Sequence, residues 1–231
     1  MALGAALWGT DALFRRGLAL DLPASTIVLW EHLILVLITL PLLVKFARNM
    51  PSLDRWDVTA ILFMGAGASA VATILFTQAF TYGDPTTPLL IQKLQPVIVI
   101  LAARLLLSER LLPRYGLYFG LAVGGAYLIS FSDPTDVGID EIAPALLAAG
   151  AAILWAMGTV VGRHLTAKIA PSQLTAIRFA VGLPTAGIIL VVRGEGAAAM
   201  NMESSGIAAL FAPLPWYLDS RPLWSTTEAS R

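Results

Sequence analysis

The chain has 231 residues, of which 57% are hydrophobic and 13% charged, and its mean hydropathy is +0.76. Soluble domains carry about twice that share of charge, so the composition excludes a water-soluble globular protein and predicts one that lies almost wholly in a membrane. The 15 basic and 15 acidic residues balance, which argues against a nucleic-acid-binding surface. Because cysteine is absent and only two histidines are present, we expect neither a metal site nor a cofactor.

Seven stretches are long and apolar enough to cross a bilayer, for which a helix needs roughly 20 residues. In chain order they are Met1–Leu20, Ala24–Phe46, Val58–Phe80, Pro85–Leu107, Arg114–Phe131, Ile142–Arg163 and Ser172–Val192. Backbone polar groups in lipid must pair within the chain, and none of the stretches alternates as a barrel strand does. The predicted fold is therefore an all-α, polytopic transmembrane helix bundle.

Basic residues at the ends of these spans predict the orientation, because cytoplasmic loops are enriched in Lys and Arg. Seven basic residues fall on one side, namely Lys45, Arg48, Arg55, Arg110, Arg114, Arg163 and Lys168, and three on the other, namely Arg15, Arg16 and Arg193. The count predicts a cytoplasmic N-terminus. No basic region precedes the first apolar stretch, so we expect no cleaved secretory signal and take Met1 as the start of the mature chain.

The sequence also resembles itself at an offset of 147 residues. Trp8 falls on Trp155 and Arg16 on Arg163 at that offset. Five predicted spans lie within one offset, and because five is odd, the second copy must enter the membrane in the opposite direction. Inverted repeats of this kind are typical of secondary transporters.

Three motifs resemble the EamA-type transporters of the drug/metabolite transporter superfamily. They are Ala5-Ala6-Leu7-Trp8-Gly9-Thr10, Gln95-Pro96 and Leu106-Leu107-Ser108-Glu109-Arg110-Leu111. The resemblance implies two five-helix repeats and a carrier of small metabolites, amino acids or drugs, often an exporter. On this pattern residues 1–132 form the first repeat, and 142–193 begin an incomplete second repeat with two helices.

Residues 194–231 depart from that pattern, since the apolar run Gly206–Leu218 is short and contains Pro213 and Pro215. We expect this segment to be a non-native or poorly ordered tail of a truncated product; a short interfacial or re-entrant segment is the alternative.

Polar side chains inside the predicted spans are the candidates for a substrate or proton site, because a charge at the bilayer centre costs about 3 kcal/mol. They are Asp11, Glu31, His32, Gln78, Gln92, Lys93, Gln95 and Arg178. Arg104 lies near a helix end, where its guanidinium is expected to snorkel to the interface.

Glu31 and Lys93 each lie seven residues into a helix that enters from the same side, which places both at about 10 Å depth and predicts an ion pair near Asp11. The pair would bind substrate or protons, or would only hold helices together. Asp11 also has Arg15 four residues on as a local partner. Pro96 lacks the N–H that would bond the carbonyl of Gln92, which is expected to free that carbonyl.

Small residues recur in two spans, in the run Gly65–Ala70 and at Gly116, Gly120 and Gly124. Such spacing permits close helix approach, either within the chain or in a homodimer.

Together these features predict a multi-pass secondary carrier of the inner (plasma) membrane that works by alternating access and exchanges protons for a small metabolite. A truncated, non-transporting fragment or a helical association module is the alternative. We expect no enzymatic activity, because the chain contains no motif for a catalytic site.

Overall fold

The computed structural model describes residues 15–82, 85–107, 114–130 and 139–196, and all regular secondary structure in these ranges is helical. The helices are α1 (15–21), α2 (Ala24–Arg48), α3 (Arg55–Ala79), α4 (Thr86–Gln92), α5 (Gln95–Leu107), α6 (Tyr115–Ser130), α7 (Ile139–Leu165) and α8 (Pro171–Val192). The predicted all-α, polytopic bundle is thereby confirmed.

Five helical segments within the described ranges are long and apolar enough to cross a membrane. They are Ala24–Arg48, Arg55–Ala79, Thr86–Arg104, Ile142–Leu165 and Pro171–Val192. The predicted span Arg114–Phe131 corresponds to the 16 residues of α6. Most of the predicted first span and nearly all of the predicted tail lie outside the described residues.

Local sequence signals explain where these helices begin. Asp54 caps α3, because its carboxylate accepts hydrogen bonds from the backbone N–H groups of Trp56 and Asp57, while Asp57 accepts one from the backbone of Asp54. This reciprocal capping box satisfies N–H groups that no helical carbonyl can reach. Pro171 begins α8, where its missing N–H has no helical partner to lose.

The fourth predicted span is divided into α4 and α5 by a turn at Lys93 and Leu94. Backbone bonds at this point shorten to the three-residue spacing, since Lys93 N–H donates to Leu90 and Leu94 N–H to Ile91 at 3.0 Å each. Pro96 lies in the first turn of α5 and has no backbone N–H to donate to the carbonyl of Gln92, the last residue of α4. The residue predicted to disturb the backbone therefore lies where the helix is interrupted.

Helix α3 contains a π-helical segment, Phe63–Val71, between two α-helical parts. Its small residues let neighbouring helices approach closely, as predicted for the run Gly65–Ala70. A methyl group placed on Gly65 would lie 2.4 Å from Cβ of Val181 in α8, and one on Gly158 in α7 would lie 2.4 Å from Cβ of Ala68. Both contacts are too short for any side chain on these glycines, so the Gly65 backbone of α3 lies directly against Val181 of α8, and the Gly158 backbone of α7 lies directly against Ala68 of α3.

The glycine stripe of α6 behaves differently. Methyl groups placed on Gly116, Gly120 and Gly124 would meet no described atom within 4 Å. Packing of this stripe within the chain is therefore not seen among the described residues, because α6 lies at the edge of the bundle, where it contacts α4.

Two apolar clusters hold the bundle at its opposite ends. One contains Phe76 and Phe80 of α3 with Ile27 of α2, and Trp155 of α7 packs against it. The other contains Ile61, Met64 and residues of α7, α8 and the loop between them. We call these the Thr77 end and the Asp57 end, after a residue of α3 in each half.

Candidate functional site

A buried ion pair lies near the Thr77 end. One guanidinium nitrogen of Arg15 is 2.6 Å from Oε1 of Glu31, and the other donates to the hydroxyl of Thr77 at 2.8 Å. Arg15 and Glu31 are only 3% and 5% exposed, and Thr77 is fully buried. The contact joins α1, α2 and α3, so it fixes a cation inside the bundle at a defined position.

This arrangement corrects the sequence-based pairing, because the described cation beside Glu31 is Arg15 rather than Lys93. Ala19 of α1 is buried in the cluster with Ile27 and turns this face of α1, and with it Arg15, toward the interior. The side chain of Lys93 is exposed at the break between α4 and α5. Sequence reasoning named Arg15 only as a local partner of Asp11 and not as a site residue, because it lies near a predicted span end, where basic residues usually mark a loop.

His32 forms a second buried polar contact, one residue after Glu31. Its Nδ1 lies 2.9 Å from the carbonyl of Val28, which can only accept, so Nδ1 carries the proton and Nε2 accepts from the hydroxyl of Ser69 at 3.0 Å. The ring also meets Phe179 edge to face at a centroid distance of 5.7 Å. Both nitrogens of the neutral ring are thus satisfied, which makes His32 a packed histidine between α2, α3 and α8.

A cavity of about 380 Å³ lies among α1, α3, α4, α5, α7 and α8. Four of its lining residues bear large polar side chains, namely Arg15, Gln92, Gln95 and Arg178, and two are aromatic, Phe76 and Trp155. Hydroxyls of Thr73, Thr159, Thr166 and Thr175 add to this lining. The cavity therefore offers aromatic surface together with hydrogen-bonding groups.

Of the sequence-predicted candidates, Gln92, Gln95 and Arg178 line this cavity. The guanidinium of Arg178 lies 5.2 Å from the ring centre of Phe179, a cation–π geometry. Glu31 contributes through Arg15, which it holds in the cavity wall.

The remaining candidates lie elsewhere. Gln78 donates to Thr81 at 3.2 Å and accepts from Arg193 at 3.5 Å, so it joins the ends of α3 and α8. Arg104 is exposed in the last turn of α5, as its predicted position near a helix end suggests. Asp11 lies outside the described residues.

A polar cluster at the Asp57 end was not predicted. Lys168, in the loop between α7 and α8, lies 2.5 Å from the carboxylate of Asp57 and 3.4 Å from that of Asp54. His164 lies 3.5 Å from the other oxygen of Asp57. Sequence separations above 100 residues hide such contacts from local patterns. The cluster links the start of α3 to the α7–α8 loop.

The charges of this cluster stabilise one another. The backbone N–H of Asp57 that donates to Asp54 holds the pKa of the Asp54 carboxyl below its ordinary value, and Lys168 adds to that effect. The hydrogen bond to Asp57 raises the pKa of the Lys168 ammonium, with Asp54 contributing further. Both groups are therefore charged across the neutral range.

Comparison with known proteins gives consistent matches. The chain is 30% identical over 174 residues to the riboflavin transporter ImpX of Fusobacterium nucleatum, which covers 71% of this chain and 58% of that protein. It is 25% identical over 185 residues to a riboflavin transporter of Brucella anthropi, covering 80% of this chain and 63% of the relative. The chain thus spans about three fifths of the length of these relatives.

A solved structure has the same fold, with a TM-score of 0.53 at 19% identity over 93% of this chain and 79% of the other. The EamA-like transporter family matches residues 1–131, more than half of the sequence. With five membrane-length helices among the described residues, the protein is a multi-pass membrane protein, and the chain belongs to the EamA-like transporter family.

Proposed function

We propose that this protein is a secondary carrier that moves a small, flat heteroaromatic metabolite of the flavin type across the inner membrane. The observation that carries the proposal is the cavity, which is lined by the aromatic residues Phe76 and Trp155 and by the polar residues Arg15 and Gln92. Its volume of about 380 Å³ falls within the range of about 300–1,000 Å³ typical of small-molecule pockets. The riboflavin transporters among its relatives support the same substrate class.

The proposal includes exchange against protons, with Glu31 as the titrating carboxylate. The ionised carboxylate of Glu31 holds Arg15 in the cavity wall, where its guanidinium donates to a substrate carbonyl, and a proton on Glu31 removes the negative charge that fixes the guanidinium there. Proton and substrate would thereby compete, although they bind to different groups. Such competition couples the two movements, because the binding of each disfavours the binding of the other.

Orientation and direction are further parts of the proposal. Arg15 is buried in the bundle, so the basic residues assigned to the outer side reduce to Arg16 and Arg193, which favours a cytoplasmic N-terminus. With this orientation the Asp57 end faces the cytoplasm. The cavity lining extends to Thr166, an exposed residue at that end, which suits loading from the cytoplasm and net export.

Reconstitution of the full chain into proteoliposomes tests the function directly. We expect wild type to move radiolabelled riboflavin, and a pH gradient to accelerate the flux. Glu31→Gln should abolish the acceleration, whereas Lys45→Gln, on an exposed residue at the end of α2, should retain it. Flux no greater than that of protein-free liposomes would refute transport and leave the non-transporting fragment or association module.

A further inference from the structure

Gln92 is the most unusual polar residue of the cavity wall. Gln92 is only 3% exposed, and it lines the cavity. Its Oε1 accepts no hydrogen bond from any described residue. Buried amides are ordinarily paired, so this group is prepared for a partner that the chain itself does not provide within the described ranges.

The backbone around Gln92 is also specialised. Gln92 is the last residue of α4, directly before the turn at Lys93 and Leu94 that separates α4 from α5. In membrane carriers, interrupted helices are tolerated where they line a cavity, and such interruptions typically mark the binding site. The unpartnered amide oxygen and the interrupted helix are independent observations, and they coincide at one residue.

The chemistry of the amide restricts what can pair with it. A glutamine side chain offers one acceptor and two donors, so it is satisfied best by a group that presents a donor and an acceptor side by side. A carboxylate presents only acceptors and an ammonium only donors. A cyclic amide or imide edge, O=C–N–H, presents both in one plane.

We infer that Gln92 is the specificity-determining residue of the cavity and pairs in two-point fashion with the imide edge of a flat heteroaromatic ring. The inference rests on the proposed function, and it extends that function to a named atom group of the substrate. Phe76 and Trp155 supply the apolar surface for the ring, and Arg15 supplies a donor for a second carbonyl. In a flavin, the matching group is N3–H with its adjacent C=O.

The test uses two probes and three variants of the full chain, in detergent micelles. The probes are riboflavin and 3-methylriboflavin, and their fluorescence reports binding. In 3-methylriboflavin a methyl group replaces the hydrogen on the imide nitrogen, so this nitrogen can no longer donate a hydrogen bond. The variants are Gln92→Leu, Gln92→Asn and Gln173→Leu. Gln173 lies on α8 outside the cavity lining, so its replacement makes the same chemical change without altering the wall.

We expect wild type and Gln173→Leu to bind riboflavin at least about tenfold more tightly than 3-methylriboflavin. Gln92→Leu should bind riboflavin about tenfold more weakly and show a ratio near one between the probes. Because leucine fills about the same space as glutamine, a purely steric preference for the smaller probe would survive in this variant. Gln92→Asn has an amide too short to reach the ring, so it should also lose the preference. This variant provides the test if Gln92→Leu does not fold.

Two results would overturn the inference while leaving the proposed function intact: flavin binding by wild type without preference between the probes, or a preference that persists in folded Gln92 variants. Binding with the expected preference, but without flux in proteoliposomes, would support the amide's role and refute carriage. Absence of flavin binding by wild type would refute both.

Discussion

The buried pair of Arg15 and Glu31 allows a quantitative test of what holds the cavity wall. Replacing Glu31 by leucine removes the carboxylate at 2.6 Å and leaves a guanidinium that is 97% buried, since Arg15 is 3% exposed. Breaking one side of a buried ion pair costs about 3–5 kcal/mol. Thr77 still accepts from Arg15 at 2.8 Å, so we expect the lower value, about 3 kcal/mol.

The double variant separates an unpaired charge from lost packing. Arg15→Met combined with Glu31→Leu replaces both charges by apolar groups of similar size, and buried pairs replaced in this way lose little or no stability. We therefore expect the double variant to lie within about 1 kcal/mol of wild type; since each single variant loses about 3 kcal/mol, the coupling energy is about 5 kcal/mol. The folded double variant should no longer carry substrate.

Denaturant unfolding in detergent micelles, followed by tryptophan fluorescence, measures all four proteins of the cycle. The unfolding free energies of the two single variants and the double variant are compared with wild type. If the single losses simply add in the double variant, Arg15 and Glu31 do not stabilise each other, and the reasoning fails. A loss below about 1 kcal/mol for Glu31→Leu alone would show that water reaches the pair.

Two further perturbations follow from the packing and from the charged cluster. Gly182→Ala places a methyl group 2.5 Å from the ring of His32 and should lower the unfolding free energy by about 1–3 kcal/mol. The control Gly120→Ala, whose methyl group meets no described atom within 4 Å, should be neutral or slightly stabilising. Equal melting temperatures of the two variants would contradict this packing. Lys168→Met should lower stability at neutral pH. The pKa of Asp54 is lowered and that of Lys168 is raised. The difference in unfolding free energy between Lys168→Met and wild type should therefore shrink as the pH falls below the ordinary carboxyl value of 3.8, and again as it rises above the ordinary lysine value of 10.5. A difference independent of pH would exclude the ion pair as its cause.

Length and apolarity were enough to predict where most helices of the described ranges lie, because a bilayer imposes one span length whatever the tertiary contacts are. The helix predicted from Ala24 begins at Ala24, and the one predicted from Val58 begins at Arg55, where the capping box of Asp54 starts it three residues earlier. Pro96 likewise indicated backbone disturbance beside Gln92, since the loss of an N–H is a local property.

Contacts between helices were harder to predict, because rotation of a helix about its axis is not encoded in depth. Glu31 and Lys93 were placed at one level, which is necessary for pairing but not sufficient. The packing of α1 decided the partner, since it directs Arg15 inward while Lys93 is exposed. The link from Lys168 to Asp57 spans 111 residues, and no local periodicity reports such a contact.

The position of Arg15 also affects how the protein is made. Arg15 precedes its partner Glu31 by 16 residues, so the guanidinium leaves the ribosome before the carboxylate does. Arginine in lipid without a counter-charge carries a cost that reaches about 3 kcal/mol at the bilayer centre on insertion scales and is smaller toward a helix end, and this cost disfavours release of α1 from the translocon by itself. Release of α1 and α2 together as a hairpin removes that barrier, because each helix neutralises the other. The charge pair in the wall of the finished cavity thus makes the first two helices acceptable to the bilayer as one unit.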